Sequence, residues 1–580
     1  MDKYKTILEN INNKNFEKAE KICNVIKDLE NDHIALNLLG LTQVNQSKYD
    51  LAEKNFIKSS ELNRIFESPI RNLFLIYLKQ KNSIKMKFFA NKLINLDNKN
   101  PDYNYFLALA NEFNHSYDEA IKFYKKSIGL NYKEKQNAFN NIGNILLRNK
   151  LPEESIKYFK QAHELDKENH HIIYNLLSNY AELRDINNLE ISLNKTISEE
   201  KNQKIFNYFK AELFILKNEI DEAKKILLKN LDDIRFSIKL IRLYFQTGEN
   251  ESGKKLFLEI NHKIDQDPNY NNFLANTYLY EGDFKNGWRY YDKRRSKIVG
   301  TYNNITEWTG ESLSNKKILV FSEQGLGDTI QFSKYLLPLL KISKNVTFVV
   351  QDKLINFFKK DIKGLNIKQI TEIDQKNYDF KIDLGSLIKF FYKEKINGPI
   401  RLFDLVNLNK KTELVKINKS KLNVGIAWSG SFYGPGEPYR SLNLQDLEKL
   451  FSLDINFYCL QSEIRNNDYN YFKSLNITDC SNFDLVQVGE IINNLDLIIS
   501  VDTSILHLAS SFNKKTWGIL NLYPDWRWSK FEKFNPYSSL KLFRQTKFNY
   551  WDDTINDIYS QLEYLIRQQE AHKFKIKNNK

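Results

Sequence analysis

Two stretches of this chain carry side chains whose types and spacing could do chemistry. The first is Glu323-Gln324-Gly325-Leu326-Gly327-Asp328-Thr329-Ile330-Gln331-Phe332. Glycines 325 and 327 let the backbone come close to a ligand and aim free helix N–H groups at it, so Gln324, Gly325, Gly327 and Gln331 read as the wall of a cleft. Asp328, at the tip of that loop, can act as a general base that takes a proton from an attacking hydroxyl. With Gln331 three positions on it also has the form of a capping box, which would make its carboxylate a helix cap, and one carboxylate can do both. The second stretch is Leu497-Ile498-Ile499-Ser500-Val501-Asp502-Thr503-Ser504-Ile505-Leu506-His507-Leu508-Ala509. Here a strand runs directly into a helix whose N-terminal N–H groups suit a diphosphate, with Thr503 and Ser504 able to donate to its oxygens. Asp502 would repel phosphate, so it either accepts hydrogen bonds from hydroxyls or orients the loop. His507 taken alone reads as a satisfied helix histidine.

These groups need elements to hold them. Ile318 to Phe321 is a strand-length apolar run, and Ile330, Tyr335, Leu336 and Leu339 follow at helical spacing, which makes a β-loop-α unit. Asn345 to Val350 reads as the next strand, Asp352 to Lys360 as a helix and Phe380 to Leu384 as a later strand. The pattern restarts near residue 421. Lys421 to Trp428 is a buried strand, Leu444 to Phe451 a helix, and Thr516 to Leu520 another strand. Apolar runs alternating with helical runs indicate parallel sheets, whose ligands bind at the carboxyl ends of the strands; Ser429 and Gly430, just past one such end, therefore face a cleft.

The first half is organised differently. Leu62, Leu96, Leu130 and Leu165 recur at intervals of 34, 34 and 35 residues. Ala19, Ala52, Met86, Ala120 and Ser155 keep the same pitch, as do Phe56, Ala90, Tyr124 and Phe159 four residues further on. Each unit holds two amphipathic helices with a turn such as Asn149 to Pro152. A period of 34 with a small residue early in the second helix resembles the tetratricopeptide repeat. One such pair cannot cover its own apolar face, so neighbours stack into a superhelix with a concave groove; the pattern ends near Trp288 after about eight units. Aromatic and Asn side chains on the first helices either line a peptide groove or belong to the core.

At 580 residues, with 42% hydrophobic and 13% aromatic residues, the chain can bury several cores. The net charge of +14 comes mainly from Lys scattered among Asn and Ile, and no basic cluster with stacking aromatics marks a nucleic-acid partner. Three cysteines, Cys23, Cys459 and Cys480, without a CxxC pair, imply a reducing compartment and neither a disulfide framework nor a zinc site. No signal-peptide core or long apolar span is present, so a cytoplasmic location is expected and peripheral attachment to a membrane stays open. Between residues 300 and 580 there is no Asp-x-Asp and the only histidines are His507 and His572. A metal-dependent site therefore has little support.

The stretch from Glu323 to Phe332 resembles the signature that opens the glycosyltransferase region of bacterial tetratricopeptide-repeat proteins, a region similar to the heptosyltransferase family (family 9-like, GT-B). The resemblance implies a multidomain chain: an all-α superhelix over residues 1–297, then a GT-B-like α/β glycosyltransferase made of two Rossmann-like halves. These span 298–420 on the acceptor side and 421–580 on the nucleotide-sugar donor side. Trp308 and Gly310 match what precedes the first strand in that family. The family assigns the general base to the Asp of a Gly-Asp motif, here Asp328. Asp502, Thr503, His507, Leu508 and Ala509 complete its Asp-Thr-x-x-x-His-Leu-Ala motif, which makes His507 a candidate site residue. Ser429-Gly430 followed by Arg440-Ser441-Leu442 resembles the start of its donor domain, although Phe432 to Tyr439 diverges from its relatives. Arg440 would meet the diphosphate in a forked geometry, the alternative being a surface arginine. Tyr523-Pro524-Asp525-Trp526-Arg527-Trp528 and Arg544-Gln545 match as well, and Asp525 and Arg527 either bridge the cleft or form a structural pair. The function implied is metal-independent sugar transfer from a nucleotide-sugar to a hydroxyl, with no further cofactor. The acceptor would be a protein or peptide presented by the repeat groove, with a glycan or lipid-linked acceptor as the alternative. From another class, the alternative is a repeat scaffold whose transferase half is degenerate.

Overall fold

The structure, a computed structural model, describes residues 2–149, 151–196, 203–293, 302, 304–358, 362–392, 414–431, 439–529 and 537–578. The domain boundary expected between residues 297 and 298 and most of the loop from Phe432 to Tyr439 lie outside these residues, as does the Lys360 end of the helix expected from Asp352. Compactness divides the chain into two units, Met1–Ile226 and Leu227–Lys580.

The first unit is an array of antiparallel helix pairs, such as His33–Asn45 with Tyr49–Leu62 and Lys135–Arg148 with Pro152–Leu165. The positions that recur at the 34-residue pitch are its core: Ala19, Ala52, Met86, Ala120 and Ser155 are fully buried, and so are Phe56, Ala90, Tyr124 and Phe159. Close packing explains the small partners. A Cβ at Gly40 would lie 2.7 Å from the Phe56 ring, and one at Gly143 would lie 2.6 Å from the Phe159 ring. The recurring leucines have another role. Leu62, Leu96 and Leu165 are exposed and mark helix ends, so their period reports the spacing of turns. The turns inside the pairs share a backbone device, a residue with positive φ just before the second helix: Lys14, Ser47, Lys81, His115, Arg184 and Asn218 among the described residues. Only the last two pairs use Gly248 and Gly282 there.

Helix pairs continue into the second unit as Ile234–Gln246 with Asn250–Ile264 and Asn271–Tyr280 with Phe284–Tyr291. This makes nine pairs among the described residues where the pattern suggests about eight. Two parallel sheets follow. The first comprises β1 (Thr306–Glu307), β2 (Ile318–Phe321), β3 (Val346–Val349), β4 (Leu365–Lys368) and β5 (Phe380–Asp383), in the order β1-β5-β2-β3-β4. The second comprises β6 (Leu422–Ala427), β7 (Ile455–Cys459), β8 (Ile477–Asp479), β9 (Leu497–Val501), β10 (Thr516–Leu520) and β11 (Leu540–Arg544), in the order β11-β10-β9-β6-β7-β8. Every strand pair is parallel. Strands β2, β3, β6, β9 and β10 are buried along their whole length, as sheets covered on both faces require.

In the second sheet the chain runs β6, β7, β8 to one side and then returns to β9, β10, β11 on the other, the doubly wound order with a switch point between β6 and β9. The first sheet has its own switch between β2 and β5. The loops that leave β2, β6 and β9 carry Asp328, Ser429 and Asp502, so topology accounts for the placement of the candidate residues. The segments expected as helices at 352 and 444 are tighter 3₁₀ turns, Asp352–Phe357 and Leu444–Ser452. A single apolar core links the last helix pairs to both sheets, from Phe245, Phe273 and Trp288 through Val320 and Leu336 to Leu506 and Trp528. A second core lies on the other face of the second sheet, where Ile555, Ile558 and Leu562 of the final helix, Asp552–Asn578, pack with Trp428 and Trp517.

Candidate functional site: a cleft between two parallel sheets

Helix Leu326–Phe332 begins at Gly325, and Asp328 is its third residue. The capping arrangement expected between Asp328 and Gln331 is therefore shifted. Asp328 reaches back, its Oδ2 accepting the Gly325 N–H at 3.0 Å, while Gln331 is buried with no hydrogen-bond partner for its Oε1. The other oxygen, Oδ1, is ion-paired with Arg527 Nη1, which comes from 199 positions further along the chain. Cap and cleft contact thus coexist on one carboxylate. Gly327 has a steric reason to be glycine: a Cβ there would lie 2.9 Å from His507 Cδ2 and 3.4 Å from Ser504 Cα. The two named stretches meet directly at this point.

Arg527 is the centre of the charge network. Its Nε donates to Asp525 Oδ1 at 2.8 Å, and its own backbone N–H donates to the same oxygen at 3.1 Å. It both bridges the cleft and pairs locally. Burial disfavours its charge, but Asp525, Asp328 and Asp502 outweigh that and raise its pKa above the ordinary value. Burial pushes the Asp525 carboxyl up against the pull of Arg527, and Asp502 and Asp328 add to the rise. Burial also pushes on Asp502, yet His507, Arg527 and Arg440 hold its carboxyl well below the usual range. Asp502 Oδ1 lies 3.3 Å from His507 Nε2, and His507 Nδ1 lies 3.1 Å from the Tyr537 hydroxyl. The His507 ring stacks on Trp528 with centroids 5.6 Å apart. His507 is therefore a fixed member of the cleft wall.

On the β6 side, Arg440 lies over Gly430 and its Nη1 donates to the Asp502 carbonyl at 3.1 Å. Ser429 is turned inward. Its N–H donates to Gln461 Oε1 at 3.2 Å and its Oγ accepts from Gln461 Nε2 at 3.2 Å. The Gly430 N–H donates to Ser441 Oγ at 3.0 Å, and Arg465 Nη2 donates to the Gly430 carbonyl at 3.2 Å. Thr503 is the N-cap of helix Ser504–Ser511, with its Oγ1 3.1 Å from Ser500 Oγ. The first residue of that helix, Ser504, lies against Gly327, where an added Cβ would come within 3.5 Å of the Ser504 backbone N.

Sequence reasoning missed three groups. Gln461 stands just past the end of β7 and ties down Trp428 and Ser429; a polar residue after an apolar strand was its signal. Tyr291, on the last helix of the repeat pattern, accepts from Gln324 Nε2 at 2.8 Å. Gln351, just past β3, donates to the Gln324 carbonyl at 3.0 Å and to Thr329 Oγ1 at 2.9 Å. Among the described residues no group of three or more His, Cys, Asp or Glu is gathered as metal ligands, and no helix is long and apolar enough to cross a membrane.

The tetratricopeptide repeat family is matched over residues 101–134 and 136–169. Two units of the helix-pair array are thus tetratricopeptide repeats, an architecture suited to protein partners. An uncharacterized protein of Plasmodium falciparum (isolate 3D7) is 26% identical over 261 residues, which is 41% of this chain and 25% of that protein. The chain matches only about a quarter of the length of this relative. Solved structures that resemble it include MamA 41-end from Desulfovibrio magneticus RS-1, at 18% identity and TM-score 0.27, over 29% of this chain and 97% of that one. Another is pilF of Pseudomonas aeruginosa, at 15% identity and TM-score 0.29, over 34% of this chain and 89% of that one.

Proposed function

We propose that the second unit is a metal-independent glycosyltransferase of GT-B-like design. It takes a sugar from a nucleotide-sugar donor to a hydroxyl, in the cytoplasm, on a polypeptide presented by the repeat array. The observation that carries this reading is the meeting of Asp328 and Arg527, from loops of two different parallel sheets, beside the first turn of helix Ser504–Ser511. The donor's diphosphate would lie against that turn with Arg440 and Arg527 as its cations, in a cleft where fixed donors stabilise the charge left on the departing nucleotide. Asp328 would take the proton of the acceptor hydroxyl. Asp502, ionised and gripped by His507, suits a hydroxyl acceptor role toward the sugar.

A polypeptide acceptor is supported by the array itself. Asn72 Nδ2 donates to Asn37 Oδ1 at 3.1 Å and Asn175 Nδ2 to Asn140 Oδ1 at 2.9 Å, so side-chain amides on the first helices are linked from one repeat to the next. Amides carry both a donor and an acceptor, as does a peptide backbone.

The second reading, a scaffold with a non-catalytic transferase half, is favoured by one feature: the Asp328 oxygen that a base would use is already paired with Arg527. Incubation of the full chain with a panel of radiolabelled nucleotide-sugars separates the readings. Transfer or hydrolysis of one donor, lost in Asp328→Asn, is expected. No turnover of any donor, together with no nucleotide binding at millimolar concentration, leaves the scaffold.

A further inference from the structure

We propose that Arg527 is a switch: it holds Asp328 while the cleft is empty and passes to the donor's diphosphate when that binds, so the base is released only after the donor is in place. The identity of the anion rests on the glycosyltransferase reading; the competition for Arg527 does not.

The loop backbone that carries Arg527 is pinned from behind. Tyr523 stacks on Phe245 with centroids 5.2 Å apart and meets Tyr280 edge-on at 4.3 Å. Trp526 is boxed by Trp288 at 5.4 Å and Tyr291 at 5.9 Å. Asp525 caps the turn through the Arg527 N–H. With the backbone fixed by the last two repeat pairs, the part of this loop free to change partner is the arginine's long side chain. Its guanidinium is held at Nε by Asp525, which makes a pivot, and at Nη1 by Asp328. Asp328 has its own anchor in the Gly325 N–H, so it stays in position when Nη1 leaves.

Electrostatics supply the reason to move. Asp328, Asp502 and Asp525 face Arg527 and Arg440 across the same cleft, and both guanidiniums act on Asp502. Three carboxylates already share two guanidiniums, so a diphosphate cannot enter without taking a cation from one of them. Asp328 is the partner that comes from the other sheet, and its pairing is the one a cleft-bound anion can replace. While Nη1 is on Oδ1, the guanidinium takes one of that oxygen's two acceptor positions and competes with an incoming hydroxyl for it. Acceptor activation therefore follows donor binding.

The test is a double-mutant cycle on binding, read by calorimetry of the full chain with a nucleoside diphosphate panel and with inorganic pyrophosphate. Asp328→Asn is expected to tighten binding about tenfold, within the range for directly coupled neighbours. Arg527→Gln is expected to weaken it, and Asp328→Asn in the Arg527→Gln background is expected to change nothing. Equal tightening in both backgrounds would mean simple charge relief and would overturn the switch, as would no effect of Asp328→Asn. If Arg527→Gln does not fold, Arg527→Lys replaces it: a single-pronged ammonium must reduce the coupling, and undiminished coupling overturns the proposal. Wild-type binding without coupling sinks the switch alone; no binding of any probe sinks the donor site with it.

Discussion

In the repeat array side-chain hydrogen bonds reach about one unit along the chain, 26 positions from Ser59 to His33 and 35 from Asn72 to Asn37. In the cleft they reach 62 positions from Arg440 to Asp502 and 199 from Arg527 to Asp328. Both regions use glycine to let a ring approach, Gly143 under Phe159 in the array and Gly327 under His507 in the cleft. In the array that closeness serves packing between neighbours, and the loss of one contact is felt locally. In the cleft it sets the distance between two sheets, so one side chain controls whether distant residues meet.

The largest effect that separates the regions is expected from Phe159→Ala, which removes a fully buried ring from the array and should cost about 3–5 kcal/mol. Hydrogen exchange should then show lost protection in the helices from Lys135 to Thr196 and unchanged protection in β2, β6 and β9. Loss across the sheets as well would break the comparison.

A smaller effect of opposite sign is expected from Lys334, buried in the turn after the Asp328 helix. Burial brings its pKa down to about 8. Between about pH 8 and the ordinary lysine value near 10.4 the unfolded chain binds the extra proton, so this group makes stability rise with pH over that window. Lys334→Met should be more stable than wild type by at most about 3 kcal/mol at pH 7, with the difference vanishing above about pH 10.5. Urea titrations across pH check this, and a difference independent of pH would contradict it.

Gly327→Val comes last in stability, roughly 1–3 kcal/mol from overpacking against His507 and Ser504. Its informative consequence is selective. The Arg527 to Asp328 contact should be lost, with increased exchange in 326–332 and 504–511, while the array is unaffected.

What was legible in the residues follows the same division. The 34-residue pitch marked a real core at Ala52, Ala120, Phe56 and Phe159, because a local repeat writes its contacts into local spacing. The leucine series kept the pitch but belonged to helix ends, since amphipathic spacing alone does not say which apolar position is covered. The left-handed turns at Lys81 and His115 went unread because no glycine announces them. Continuous apolar runs identified β2, β6, β9 and β10, and strand-end loops identified Asp328 and Asp502. The link from Asp328 to Arg527 and the bracing of Trp526 by Trp288 and Tyr291 were not legible, because they join residues whose separation no local pattern encodes. The spacing of Asp328 to Gln331 suggests an N-cap at Asp328, whereas the backbone places the cap at Gly325, with Asp328 reaching back to its N–H.

The most direct test of the account is calorimetric titration of the full chain with a panel of nucleoside diphosphates in EDTA, alongside an Arg440→Ala, Thr503→Ala double variant. Saturable binding of one nucleotide, abolished in the variant, is predicted, and its base would name the donor. Absence of binding across the panel, or equal binding by the variant, would contradict a donor site at the β6/β9 switch point.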